Sequence, residues 1–115
     1  METGGLRVMV ENATYSAERL RQVFPRRYPD AETARSDAGN PETILNRAYA
    51  GRGGNIMPDD GWRYRSRGFI ALWGRDNYAQ VGEAIGVDVL NYPDLATEPE
   101  TAFRVAIYWF TGRES

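Results

Sequence analysis

The sequence contains no cysteine, no histidine and no lysine. Without cysteine, disulfide frameworks, thiolate zinc sites and cysteine nucleophiles are excluded together. Without histidine, Ser-His catalysis and HExxH zinc chemistry are excluded as well, and without lysine so are Schiff-base and P-loop mechanisms. Any chemistry must rest on carboxylates, hydroxyls, amides and arginine, and we expect neither a metal site nor a cofactor.

Charge and hydropathy narrow the class of protein further. The net charge is −2 and the pI is near 5.2, whereas a general nucleic-acid-binding protein usually has a basic excess. No apolar run approaches the roughly 20 residues needed to span a bilayer, and the amino terminus lacks the pattern of a signal peptide. A length of 115 residues is typical of one domain, which we assign to residues 1–115 of a soluble, cytoplasmic protein of a bacterial host cell.

Glycine and proline divide the first half of the chain into short helices. Ser16 to Phe24 reads as a helix with Ser16 as its N-cap, and Asp30 to Ala38 as a further turn or two. Asn40 and Pro41 provide a cap and a first-turn proline for a third helix, which carries Ile44, Leu45, Ala48 and Tyr49 and stops at Gly51.

The second half begins with a loop by composition, from Gly51 to Gly61. Trp62 to Trp73 is expected to be extended, and Asp76 to Ile85 helical. For the last helix Thr97 and Glu100 form a capping-box pattern, and one apolar stripe contains Phe103, Ala106, Ile107 and Phe110. The predicted fold class is therefore mainly α, a compact bundle of short helices with at most a small β element near residues 62–72.

The candidate catalytic residues are Glu2 and Glu11, in ETGGLRVMVENATY. Two carboxylates that flank a cleft are the minimal equipment of a glycosidase, in which one protonates the leaving oxygen and the other activates water. Spacing alone does not separate this interpretation from two solvated surface glutamates.

Three segments, ETGGLRVMVEN, TYSAERLRQVFP and DGWRYRSRGFIALWGRDNY, together resemble family 19 glycoside hydrolases, above all phage endolysins and bacterial lysozyme/chitinase relatives. The resemblance implies an α+β lysozyme-like fold and extends from Glu2 to about Phe110. It also implies that Glu2 is the general acid and Glu11 the general base of an inverting reaction, with Tyr15 and Arg65–Gly68 along the cleft. Arg7 or Arg63 would keep the base ionised.

The sequence departs from this family at several positions. Met1 replaces the histidine before the acid, and the segments that precede and follow this region in the family are expected to be missing. The family pattern GRGxIQLTGRxNY reads SRGFIALWGRDNY here, so that Ala71 replaces a sugar-contacting glutamine and Trp73 replaces a water-holding hydroxyl. An indole has one donor and no acceptor. We therefore expect Trp73 to fill the cleft, packed near Phe69 or Tyr64, in a domain that keeps the scaffold and has lost the reaction.

Arg63, Arg65 and Arg67 alternate with Trp62 and Tyr64, an arrangement that can contact nucleotides. The resemblance implies the same arginines in the cleft, where we expect them to pair with carboxylates, so nucleic acid is a disfavoured partner and no membrane partner is expected.

Two functions compete. The first is a catalytically impaired domain that binds a protein target or a second copy of itself, plausible for a phage or mobile-element inhibitor of host defence of the anti-CRISPR type. Its contact residues would be Trp62, Tyr108, Trp109 and the neighbouring arginines. The alternative is an active endolysin or chitinase-like hydrolase that cleaves peptidoglycan or chitin with Glu2 and Glu11.

Overall fold

A computed structural model describes residues 8–111 and confirms the mainly α class. The helices are α1 (Ala17–Val23), α2 (Ala31–Asp37), α3 (Pro41–Ala48), α4 (Asp60–Arg63), α5 (Arg75–Ile85) and α6 (Pro99–Phe110), with a 3-10 turn at Pro93–Thr97. The strands β1 (Met9–Val10) and β2 (Arg67–Gly68) pair antiparallel, with Met9 opposite Gly68 and Val10 opposite Arg67.

The first three helices begin where the sequence predicts, because each has a polar side chain that caps an amide of its first turn. Ser16 accepts a hydrogen bond from the amide of Arg19 at 3.1 Å, and Asp30 accepts one from the amide of Thr33 at 2.7 Å. Asn40 caps α3 in the same way. At its carboxyl end, α5 stops at Gly86, which adopts the left-handed conformation with φ 72°.

The predicted capping box of the last helix is wrong. Thr97 lies in the 3-10 turn, where its hydroxyl donates to the carbonyl of Asp94 at 2.6 Å. The helix begins instead at Pro99, whose fixed φ suits a first helical position, and Glu98 before it makes no side-chain cap.

The apolar stripe predicted for α6 is not its core face. Phe103, Ile107 and Phe110 are 59%, 45% and 79% exposed, whereas the buried side is formed by Thr101, Ala102, Val105 and Tyr108. Because α6 is apolar on two faces, its periodicity does not select which of them packs inward.

The segment expected to be extended is only partly so. Trp62 and Arg63 complete α4, and the chain then forms β2 and a tight turn closed by a bridge between Arg67 and Leu72. Gly61 allows α4 to pack directly on α3, since a Cβ there would meet the carbonyl oxygen of Leu45 at 2.1 Å.

The buried side chains form two clusters, and residues 60–73 contribute to both. Tyr64 and Leu72 belong to a cluster with α5 and α6, while Trp62 packs against a cluster formed by α1, α2 and α3. This segment is therefore anchored on both sides. None of the helices in residues 8–111 is long and apolar enough to cross a membrane.

Candidate functional site: a groove beside Glu11

A shallow groove of about 340 Å³ lies between residues 9–12, which include β1, and the residues of β2 and the turn after it. It is lined by Met9, Val10, Glu11, Asn12, Ser66, Gly68 and Ala71. The Glu11 amide donates to the carbonyl of Ser66 at 2.8 Å, and the Ser66 amide lies 3.4 Å from Glu11 Oε1. Strand pairing thus continues past β1 and holds the Glu11 carboxylate in the groove.

Arg65 and Tyr49 are the groups with which Glu11 interacts electrostatically. Burial lowers the pKa of Arg65, as does neighbouring Arg67, while the Glu11 carboxylate opposes that shift. Burial raises the pKa of Tyr49, and the negative charge of Glu11 raises it further. Among residues 8–111, Arg65 is therefore a cation that interacts with the predicted base.

Of the two arginines expected to support Glu11, Arg7 or Arg63, Arg63 is directed elsewhere. Its guanidinium donates to the carbonyl of Asn91 at 2.9 Å and to the hydroxyl of Tyr64 at 3.2 Å, which directs it to the loop after α5. The other candidate, Arg7, and the predicted acid, Glu2, lie outside the described residues.

Four aromatic rings form a row, and one of them, Tyr49, interacts electrostatically with Glu11. Tyr15 packs on Phe24 with centroids 5.8 Å apart, Phe24 on Tyr49 at 6.0 Å, and Tyr49 on Trp73 at 5.0 Å. Two predicted site residues, Tyr15 and Trp73, lie at opposite ends of this row. Tyr49, which sequence analysis treated only as an apolar position of a helix, links this row to Glu11.

Trp73, which was expected to fill the cleft near Phe69 or Tyr64, does not line the groove beside Glu11. Its ring contact is with Tyr49, and a Cβ on Gly53 would lie only 2.9 Å from the indole. Tyr64 packs instead on Tyr78, with centroids 5.1 Å apart. The loop after α3 approaches Trp73 this closely because position 53 has no side chain, a long-range contact that no local pattern predicts.

Ala71 is the only non-glycine residue between 8 and 111 with a positive φ, at 56°. It lies at the exposed rim of the groove, in the turn between Arg67 and Leu72. Left-handed backbone is uncommon for residues with a side chain and is concentrated at functional sites. The departure from the family pattern at this position is therefore also a conformational outlier.

The alternating arginines do not form a free surface patch. The Arg65 guanidinium lies 3.7 Å from the ring centre of Trp62 and donates to the Trp62 carbonyl at 2.8 Å. Arg67 is buried, donates to the hydroxyl of Tyr78 at 2.8 Å, and lies 3.2 Å from a carboxylate oxygen of Asp94. The expected pairing with a carboxylate is thus found for Arg67, where it links β2 to the 3-10 turn at Pro93–Thr97.

The predicted contact residues of the last helix lie apart from the groove. Tyr108 is buried, and its hydroxyl accepts a hydrogen bond from Gln80 at 3.1 Å. Trp109 is half-buried and packs edge-on against Tyr108, with centroids 6.3 Å apart. Within residues 8–111 no three acidic side chains come together in a way that could hold a metal ion.

Comparison with known proteins identifies the family. The family model described as class I chitinase matches residues 36–115. A glycosyl hydrolase family 19 domain-containing protein of Haemophilus influenzae is 40% identical over 111 residues, which cover 94% of this chain and 55% of that protein. Endochitinase 2 of Gossypium hirsutum is 37% identical over 83 residues, covering 71% of this chain and 27% of that enzyme. Endochitinase A2 of Pisum sativum is 49% identical over 53 residues, covering 44% of this chain and 16% of that enzyme. The chain spans about half or less of the length of these relatives. It belongs to glycoside hydrolase family 19.

Proposed function

We propose that this domain binds another macromolecule without cleaving a glycosidic bond. The observation that carries the proposal is the position of Trp73, whose indole packs against Tyr49 where the family resemblance implies a serine or threonine hydroxyl. An indole cannot accept a hydrogen bond from water. It therefore cannot orient an attacking water molecule as a hydroxyl does.

A feature of the groove beside Glu11 also supports the loss of cleavage. Ala71 presents a methyl group at the rim where the resemblance implies a glutamine amide that contacts sugar. A site that lacks both the amide and the hydroxyl loses interactions that position substrate and water, and such interactions contribute orders of magnitude to a rate.

We expect the purified protein to release no reducing ends from chitin oligomers and no soluble fragments from peptidoglycan above background. The measurement is product detection by chromatography over long incubations. Cleavage that disappears in Glu11→Gln, and persists in Glu18→Gln on the exposed side of α1, would contradict the proposal.

The surface proposed for binding is the exposed stripe of α6, formed by Phe103, Ile107 and Phe110. Their spacing of four and three residues places them on one side of the helix, which is the arrangement by which an amphipathic helix docks into an apolar groove of a partner protein. Burial of one such side chain contributes roughly 1.5–3 kcal/mol. The partner is therefore a protein with an apolar groove.

A double substitution, Phe103→Ser with Phe110→Ser, should weaken capture of that protein from a host lysate by at least about ten-fold, since every 1.4 kcal/mol of binding energy is ten-fold in affinity. Ile56→Ser is the matched control, because Ile56 is equally apolar and 79% exposed but lies in the loop before α4. Sedimentation of the isolated chain completes the test. If the isolated chain is a dimer and the double substitution dissociates it, the stripe binds a second copy of the chain. That result would contradict the proposal that the stripe binds a different protein.

The specific role as a phage or mobile-element inhibitor of host defence, acting inside the bacterial cell, stays a prediction. The genes that flank the coding sequence test it. Neighbouring defence or inhibitor genes would support it, whereas holin and spanin genes would favour lysis.

The second candidate function is hydrolysis of chitin or peptidoglycan, with Glu2 as acid and Glu11 as base. It is supported by the location of the Glu11 carboxylate in the groove and by the endochitinase names of similar proteins. The Glu11→Gln experiment separates the two candidates, because only the hydrolase requires this carboxylate.

A further inference from the structure

A second groove, of about 420 Å³, lies beside Phe24 of the aromatic row. It is lined by Val23, Phe24, Pro25, Arg26, Arg27 and Arg52. Three of these six residues are arginines and none is acidic, although the chain as a whole has a net charge of −2. We call this feature the arginine groove.

The protein holds two of these three cations in place. Arg27 donates to the carbonyls of Arg47 at 3.0 Å and Ala50 at 2.8 Å, at the carboxyl end of α3. Arg52 lies over the ring of Tyr49, with its guanidinium carbon 5.4 Å from the centroid. Both guanidinium groups are therefore positioned before any ligand arrives, which reduces the entropy that binding must remove.

No carboxylate neutralises the arginine groove within residues 8–111. The ion pairs of this part of the chain use other arginines, namely Arg47 with Asp37, Arg67 with Asp94 and Arg75 with Asp60. Three like charges that line one concave surface repel one another, and a concave surface concentrates their field on an anion.

We propose that the arginine groove binds a phosphate group, either free or carried on a sugar. A carboxylate has one charge and two oxygens, which match a single guanidinium fork, whereas a phosphate has up to two charges and three or four oxygens that can meet several forks at once. Val23, Phe24 and Pro25 in the lining offer an apolar surface for an attached sugar ring. This inference does not depend on whether the groove beside Glu11 cleaves a substrate.

The test titrates the intact protein with inorganic pyrophosphate, inorganic phosphate, N-acetylglucosamine 6-phosphate and acetate, followed by calorimetry and by amide chemical shifts. We expect saturable binding of the phosphate compounds that weakens at high salt, and at least ten-fold weaker binding of acetate. Tighter binding of the sugar phosphate than of inorganic phosphate would identify a sugar-borne group, and equal binding would identify the free anion; both outcomes support the site.

Arg26→Gln with Arg52→Gln should weaken pyrophosphate binding at least ten-fold and abolish the increase in melting temperature that pyrophosphate produces. Both residues are exposed, and the variant loses only the contact of Arg52 with Tyr49, so without ligand it should melt within a few degrees of the original protein. Arg35→Gln, an exposed arginine of α2 outside the groove, is the matched control and should bind pyrophosphate normally. Absent or non-saturable binding, acetate binding of equal strength, or an equal loss in Arg35→Gln would overturn the proposal.

Discussion

Replacing Asp60 by alanine should lower the free energy of unfolding by about 3–5 kcal/mol, the loss typical when one partner of a buried ion pair is removed. Asp60 is fully buried and accepts hydrogen bonds from the amides of Ile56 and Met57 at 2.9 and 3.0 Å. It also accepts two from the Arg75 guanidinium, at 2.9 and 3.1 Å. The substitution leaves these donors without their acceptor, so the loop after α3 loses its attachment to α5.

Urea unfolding measures this effect, and Asp59→Ala is the matched control. Asp59 is the exposed neighbour of Asp60 and makes no side-chain cap on α4, so its substitution should change stability by less than about 0.5 kcal/mol. Equal losses for the two variants would show that the buried network does not stabilise the domain.

The same carboxylate predicts a dependence of stability on pH. Burial raises the pKa of Asp60, but the hydrogen bonds from Arg75 and from the Met57 and Ile56 amides outweigh burial, and the net pKa lies below its ordinary value. A group with a lowered folded-state pKa stabilises the fold above its unfolded pKa, about 3.9 for aspartate, and this contribution is lost as the pH falls below that value. As the pH is lowered below about 4, the free energy of unfolding of Asp60→Ala should therefore decrease less than that of the original protein, as measured by urea unfolding at each pH.

Gly61→Ala should lower the free energy of unfolding by about 3 kcal/mol, the upper part of the range for overpacking a core. A Cβ at this position would lie 2.1 Å from the carbonyl oxygen of Leu45 and 2.8 Å from the Cα of Asn46. Both atoms belong to the backbone of α3, so relief requires α4 to move away. That movement would also stretch the hydrogen bond from the Trp62 amide to the Asn46 side chain, which is 2.7 Å long.

Gly51→Ala provides the comparison, because Gly51 has a positive φ of 73° but nothing within 4 Å of an added Cβ. Strain without a clash should cost about 1 kcal/mol. Losses of the same size in both variants would show that the contact between α3 and α4 is loose enough to accept a methyl group.

For the site, the family resemblance predicted Tyr15 and Arg65–Gly68 along a cleft with Glu11. Ser66 and Gly68 line the groove beside Glu11, and the catalytic role of this groove stays a prediction. The resemblance did not predict that Trp73 contacts Tyr49, nor that Arg65 interacts electrostatically with Glu11. The arginine groove has no sequence signal at all, because Arg26 and Arg52 are separated by two helices and meet only in the folded chain.

What the sequence by itself determined is local: Ser16, Asp30 and Asn40 start helices because their side chains reach the amides of the next turn, and Gly86 ends α5 because glycine adopts a left-handed backbone without a steric penalty. Only the tertiary structure decided which of the two apolar faces of α6 is buried, because both satisfy the helical period. It also decided the partners of Trp73 and Arg65, since these depend on how closely the loop at Gly53 and the residues after β1 approach. Such approaches follow from the packing of distant segments, which local patterns along the chain do not contain.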